Sequence, residues 1–439
     1  MASKYEKIFC EVLQKYDLCD ERYAETQKSV DAVLRQVAAL LKHAKIKAEV
    51  CLGGSAAKGT YIPHDFDCDI FVRFNYPLYH DKDLSSFLAR ALRSWGVKRL
   101  HGSRDYFQKV VDDVTYEIIP VLLVADAKNA LNVTDMSPLH VVWVSKNRRK
   151  DTSRDIILAK LFCKAQKIYG AESYIHGFSG HVLDILVIYY GSFTALVHHA
   201  ARWSDQEILD VEQHYPTKAA VLRELNKAKL QSPLILVDPL QKNRNAAAAL
   251  SLENYHLFIA ACKAFLKSPS SAFFEKKKFS VDILQRTAAQ KHPDAKLFIM
   301  DVVPLSGKVD VVGTQLLKAY LFIRQALEHN GFEVHDASWE WNKGTKASFW
   351  FIVKDDALSS VYKHPGPPVK MKEAVAAFKK KHGRKCFISK GRVYASLPRP
   401  YRTPSALLKA LLSEPYVTNR MKKISMCNQR KCNADSANP

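Results

Sequence analysis

The chain has 439 residues, too many for one ordinary domain and suited to two to four. Hydrophobic residues at 47% and charged ones at 25% exclude a disordered chain and point to folded domains. Its 66 lysines and arginines against 44 acids leave a net charge of +22. Such an excess favours a polyanionic partner, nucleic acid or an acidic membrane surface, and says little about fold.

The opening stretch, residues 1–17, mixes charges in an amphipathic pattern and lacks the apolar core of a secretory leader. Val30, Val33, Leu34, Val37, Leu40 and Leu41 recur at helical spacing and predict one long amphipathic helix. A short strand over 48–52 then runs into Gly53-Gly54-Ser55. Further strands are predicted over 67–74 and 115–124.

From 153 to about 203 the pattern turns helical. Ile157, Leu158, Leu161, Phe162, Ala165 and Ile168 form one apolar face, and Lys160, Lys164 and Lys167 form another. Gly170 is placed to stop that helix, and Ser179 to cap the next. The most apolar run, 185–197, is too short to cross a bilayer, so no membrane insertion is expected. Beyond about 280, helices and strands mix again, with a strand over 346–353. The polar end is expected to be disordered.

Nine cysteines include no CxxC pair, which argues against zinc; their odd number in a large chain suggests reduced thiols in a cytoplasm. His198-His199 offers no metal site either, because adjacent residues on a helix point about 100° apart and no carboxylate accompanies them.

Between Lys363 and Arg402 stand twelve lysines and arginines and one acid, Glu373, so about a tenth of the chain carries half the excess charge. The run Lys379-Lys380-Lys381, with Arg384 and Lys385, is its densest part. Tyr362, Phe378, Phe387, Tyr394 and Tyr401 lie among these charges. They are either stacking surfaces for RNA or the core of an ordinary domain with a solvated basic face.

Chemistry concentrates between residues 53 and 120. In a strand of period two, Asp67 and Asp69 share one face while Cys68, Ile70, Val72 and Phe74 take the other. Two carboxylates that close stay ionised cheaply only with a cation between them, and an all-oxygen donor set selects Mg²⁺ or Mn²⁺. Glu117, flanked by apolar residues on a later strand, is the third acid that a two-metal phosphoryl-transfer site requires. Gly53-Gly54-Ser55 supplies backbone amides and a hydroxyl for a phosphate. The eleven residues before Asp67 let the chain turn back as a hairpin, in which Lys58 is a second phosphate contact. Each fragment alone is a turn or a strand edge; their combination indicates a nucleotidyltransferase.

That combination resembles the polymerase-β-type nucleotidyltransferase superfamily. Ile168-Tyr169-Gly170-Ala171-Glu172, Gly177-Phe178-Ser179-Gly180, Tyr190-Gly191-Ser192-Phe193 and Ala201-Arg202-Trp203 are similar to the archaeal-class (class I) CCA-adding tRNA nucleotidyltransferases. So are Val237-Asp238-Pro239 and the stretch from Asn243 to Leu252. The similarity is dense from about 50 to 280 and persists weakly to about 415. It implies an α+β multidomain fold: a polymerase-β-like palm with a mixed sheet over 1–145, a helical central domain over 146–275, a basic α/β body and tail over 276–418, and a disordered end over 419–439.

The resemblance further implies a cytoplasmic enzyme that rebuilds the CCA end of tRNA from CTP and ATP without a nucleic-acid template and releases pyrophosphate. Asp67, Asp69 and Glu117 fall on the metal-binding positions for two Mg²⁺ ions, or Mn²⁺, and Gly54 and Ser55 on the triphosphate-binding hairpin. His140, Lys160 and Tyr169 fall on residues that grip the triphosphate, and Arg244 on the one that reads the incoming base. The basic C-terminal part is expected to hold the acceptor stem and T arm; a homodimer is compatible with the family, though no sequence feature requires it.

Two positions depart from the pattern. Glu117 stands where the family usually has Asp. Met136 stands where an arginine is common, which leaves Arg104 as a substitute phosphate contact. Two other readings remain at this point: a poly(A)-type RNA 3′-nucleotidyltransferase and a catalytically decayed tRNA-binding protein.

Overall fold

Residues 2–16, 20–62, 67–276 and 280–427 are described by a computed structural model, which divides into two units, 1–277 and 278–439. In the first unit, α1 (Ala2–Lys15) and α2 (Asp20–His43) precede a five-stranded mixed sheet. Val30, Val33, Val37 and Leu41 of α2 are buried against that sheet, as their helical spacing requires. The chain then forms β1 (Ala48–Leu52), α3 (Gly54–Lys58), β2 (Asp67–Asn75), α4 (Tyr76–Tyr79) and α5 (Leu84–Leu92). It continues through β3 (Lys98–Leu100), β4 (Tyr106–Val111) and β5 (Val114–Leu123). The strand order is β1-β2-β5-β4-β3, with β2 and β5 parallel at the centre and the other pairs antiparallel. Between β4 and β5, Asp112 and Asp113 take φ of 50° and 60°, as a two-residue turn with left-handed residues demands.

Next come α6 (Ser137–Asn147), α7 (Thr152–Ala165), α8 (Gly180–Tyr190) and α9 (Phe193–Ala200). α7 ends at Ala165, before the glycine expected to stop it, because Lys167 turns left-handed at φ 60°. Ser179 does cap α8, its hydroxyl accepting from the Val182 amide. The apolar run is shared between α8 and α9, which bend by 93°; among the described residues no single helix is long and apolar enough to cross a membrane. The rest of the unit is β6 (Glu207–Asp210), α10 (Lys218–Glu224), β7 (Leu234–Asp238), β8 (Gln241–Asn245) and α11 (Leu252–Lys267). A small sheet in the order β6-β7-β8 therefore accompanies the helices of this part.

Within the helical core, Phe162, Phe193, Phe258, Phe265 and Phe274 are buried together. Phe9 and Val12 of α1 join them, so the palm expected over 1–145 loses its first helix to the helical core. An amphipathic helix settles where its apolar face finds the most complete burial, whatever its place in the chain.

The second unit contains α12 (Val281–Lys291), β9 (Ala295–Pro304), α13 (Val309–His329), β10 (Val334–Trp341), β11 (Ala347–Lys354) and β12 (Val361–Pro368). After these come α14 (Lys372–His382), β13 (Cys386–Ser389), β14 (Arg392–Pro398), α15 (Pro404–Leu411), α16 (Pro415–Thr418) and β15 (Met421–Met426). They form two sheets, β10-β11-β9-β15 and β12-β14-β13. The disordered end expected over 419–439 is corrected in part. Met421–Met426 pairs antiparallel with β9, and Met421 is buried, because the exposed edge of β9 is satisfied that way. Residues 428–439 lie outside the described residues. Among the described residues, Cys10, Cys51, Cys68, Cys163, Cys262 and Cys386 are free thiols.

Candidate active site

β2 and β5 pair with Asp67 opposite Thr115, Cys68 opposite Tyr116 and Asp69 opposite Glu117. Cys68, Ile70, Tyr116 and Ile118 are fully buried, which fixes the core face and leaves Asp67, Asp69 and Glu117 together on the other. The neighbouring β4 sets Gln108 opposite Glu117, its Nε2 3.4 Å from Glu117 Oε1. Burial pushes the Asp69 carboxyl up to about 6; the Asp67 charge adds to this, while Lys58 and Lys160 oppose it. Glu117 is pushed up to about 7, by burial first and then by Asp69 and Asp67. Crowded oxygen donors that each hinder the other's ionisation fit a hard divalent cation, which would relieve the repulsion.

The Gly-Ser segment is built differently from the hairpin that the sequence suggested. Gly53 caps a single helical turn, α3, which Gly59 closes in the left-handed region at φ 64°. Two alanines between glycines favour that turn. The Gly53 amide donates to the Asp69 carbonyl at 2.8 Å, tying the turn to the carboxylate strand. Gly54 is irreplaceable on two counts: its φ is +53°, and an added Cβ would lie 1.7 Å from Asp69 Oδ2. The phosphate-type loop and the Asp-x-Asp strand are thus packed on each other, with Ser55 in the first turn.

Lys58 is not the open phosphate contact expected. It is buried, its Nζ 2.6 Å from Asp184 Oδ2, because α8 carries that one acid into an apolar surrounding where a cation must meet it. Lys160 is likewise buried rather than on a wet helix face. Its Nζ donates to the Thr60 carbonyl at 2.8 Å and hydroxyl at 3.0 Å, and burial pushes it down to about 8. Burial also raises the Asp184 carboxyl, but Lys58 and Lys160 outweigh it and hold the group below its ordinary range. Tyr169 stands beside this group: a Cβ on Gly180 would come 3.1 Å from its hydroxyl and 3.8 Å from Lys160 Nζ. Lys164 lies over the Tyr169 ring, 4.7 Å from its centroid.

A third group gathers around Asp238, the fully buried end of β7. His140 Nε2 lies 3.2 Å from both its oxygens, and Arg244 Nη1 donates to Oδ2 at 2.5 Å. Burial raises this carboxyl, but His140 and then His181 outweigh it and hold the group well below its ordinary range. His181 stacks at a tilt against His140, ring centroids 4.1 Å apart, and burial pushes it down to about 4. Among the described residues, His140, His181 and Asp238 also make one compact group of metal-type donors. Arg244 already claims its carboxylate, so a cation there would have to displace a guanidinium.

Arg104 is not free to replace an arginine at position 136. Its guanidinium is bound by both oxygens of Asp135 and by the Pro120 carbonyl, and Met136 is buried beside them. In the second unit, Lys379, Lys380 and Lys381 end α14, and Arg384 and Lys385 follow in a 3₁₀ turn; all five are exposed. Of the aromatic residues nearby, Phe387 stacks on Tyr394 within the small sheet at 5.7 Å, and Phe378 of α14 stacks on His364 of β12 at 5.7 Å.

The sequence assigned no role to Asp184 or His181, and marked Asp238 only as part of the Val237-Asp238-Pro239 similarity. The available signal was one acid inside the apolar run Val182–Val187, and another ending the apolar strand Leu234–Val237. An unpaired acid in such a setting demands a cation.

Three family models match in succession: "Nucleotidyltransferase domain" over 33–132, "tRNA nucleotidyltransferase, second domain" over 154–275, and "CCA-adding enzyme, C-terminal domain" over 307–420. A CCA-adding enzyme of Nanoarchaeum equitans is 32% identical over 383 residues, 87% of this chain and 91% of that protein. Those of Methanothermobacter thermautotrophicus and Pyrobaculum islandicum are each 28% identical, covering 90% and 95% of this chain and 86% and 96% of their own lengths. With its palm, helical domain and C-terminal sheets matched in this order, the chain belongs to the archaeal-type (class I) CCA-adding enzymes of the nucleotidyltransferase family.

Proposed function

We propose that this chain carries out the family's reaction with the residues assembled here: C, C and A are added singly to the 3′ end of tRNA from CTP and ATP. In each addition the RNA 3′-hydroxyl gives up its proton to solvent and its oxygen attacks the α-phosphorus, the bond from that phosphorus to the bridging oxygen breaks, and pyrophosphate leaves with the bonding electrons. The observation that carries the reading is the register of Asp69 against Glu117, with Asp67 on the same face and Gly54 packed on Asp69. Those three carboxylates would hold two divalent ions, Mg²⁺ or Mn²⁺. The chemistry such ions supply when bound is activation of the attacking hydroxyl and neutralisation of the leaving pyrophosphate.

The protein's own groups do the rest. Ser55 and the amides of α3 meet the phosphates, and Lys160, Tyr169 and His140 fix the triphosphate, with Lys58 adding potential from behind Asp184. Arg244 presents a guanidinium to the acceptors on the edge of C or A. Lys379, Lys380, Lys381, Arg384 and Lys385 contact the phosphates of the acceptor stem and T arm. The working form is cytoplasmic, and a homodimer is compatible with the family.

The test is incorporation into tRNA ending at the discriminator base, with Mg²⁺ and CTP alone, ATP alone or both. Two C additions with CTP and completion with both are expected. Repeated A addition would replace this reading with a poly(A)-type activity. Binding without addition would replace it with that of a decayed tRNA-binding protein, and make Glu117 the suspect.

A further inference from the structure

Asp238 is shared by groups from three elements far apart in the chain. His140 comes from α6, His181 from α8 and Arg244 from β8. The Leu240 amide adds a hydrogen bond to Oδ1 at 2.9 Å, while His181 Nε2 reaches Oδ2 only at 3.5 Å. His181 therefore approaches the carboxylate less closely than His140 and Arg244 do, and packs on His140 with ring centroids 4.1 Å apart. The exposures differ in a useful way. The Asp238 side chain is 0% exposed and that of His140 9%, whereas that of Arg244 is 29% exposed. One side of the guanidinium is therefore anchored while the remaining donors are available. A buried carboxylate tolerates little loosening of its partners, because each hydrogen bond lost leaves a desolvated charge behind.

Resting on the roles given above to Arg244 and His140, we propose that Asp238 is a positioning residue that couples them, so that base selection and triphosphate placement are not independent. A mismatched base that pulls Arg244 out of line disturbs the carboxylate and, through it, His140. The phosphates are then held out of line as well. Rejection is thereby expressed in the rate of reaction and not only in affinity.

Inorganic tripolyphosphate, which has no base, is the probe, measured by its competition with CTP incorporation in the full-length protein. Asp238→Asn makes the site more positive by one charge, so simple electrostatics predicts tighter binding of tripolyphosphate. Coupling predicts the opposite, a loss of about tenfold, the size common between contacting side chains. Arg244→Lys keeps the charge and is expected to weaken tripolyphosphate several-fold. His140→Asn is expected to lower the preference for CTP over UTP, chiefly through kcat. If Asp238→Asn fails to fold, as judged by circular dichroism and melting, the other two variants carry the test. Tripolyphosphate affinity unchanged in Arg244→Lys, with base preference unchanged in His140→Asn, would overturn the coupling while leaving the site intact. A wild-type protein that binds neither CTP nor tripolyphosphate would overturn the site and the coupling together.

Discussion

The carboxylate face of β2 and β5 and the group around Asp238 meet opposite electrostatic conditions. In the first, three acids crowd one surface, and Asp69 and Glu117 resist ionisation. In the second, a single buried acid is surrounded by Arg244, His140 and His181 and stays ionised. The first is incomplete by itself and calls for cations from outside. The second already has its carboxylate paired by Arg244 and His140 before anything binds. A polymerising site needs both, since the reacting centre must accept and release charge in every cycle while the reading centre must start each cycle from the same arrangement.

The comparison breaks most sharply at Asp69. Asp69→Ala is expected to lower incorporation by more than about a thousandfold while leaving tRNA affinity within about twofold, because a metal donor is lost and no phosphate contact. Single-turnover rates and filter binding check this; strong retained activity would remove the carboxylate face from the mechanism. Gly54→Ala ranks next. The new Cβ meets Asp69 Oδ2 and a left-handed backbone, so kcat is expected to fall on the order of a hundredfold, with tRNA affinity kept. Normal turnover by that variant would show that α3 and β2 need not touch.

A smaller effect separates the two regions by pH. Glu117 has a raised folded-state pKa of about 7 against an ordinary 4.5, so its stabilising contribution is full below about 4.5 and is lost as pH rises through about 7. In chelator, wild type is therefore expected to lose melting temperature relative to Glu117→Gln between pH 5 and pH 8. The gap should be on the order of 3 °C, and Mg²⁺ should close it. A constant gap across that range would mean that Glu117 is not strained by its neighbours. The mildest change concerns the second unit. Neutralising Lys379, Lys380 and Lys381 together is expected to raise KM for tRNA several-fold and to flatten the salt slope by roughly two to three. An unaltered slope would mark α14 as a solvated surface.

What the sequence made legible was local. The alternation of Asp67 to Phe74 placed the acids on one face and the core on the other, because a strand enforces period two. The helical spacing of α2 was equally plain. The spacing of Lys160, Lys164 and Lys167 misled as a face, since Lys160 is buried at 3% exposure and Lys167 lies beyond the helix end. Lys58 and Asp184 are 126 positions apart, and His140 and Asp238 are 98 apart. No local pattern records such meetings; only tertiary convergence creates them. Strand β15 escaped for the same reason, as a short polar-looking segment becomes a strand once β9 offers an edge.

The burial of α1 among Phe265, Phe193 and Phe274 makes the helical part discontinuous in sequence. Its core is opened at one end of the chain and closed about 260 residues later, where Lys15 meets Glu275 at 2.5 Å. During synthesis Tyr5, Phe9 and Val12 must wait, uncovered, while the palm is made. A helical fragment produced without residues 2–15 would carry an aromatic trough in place of a core wall, and aggregation would follow from that trough alone.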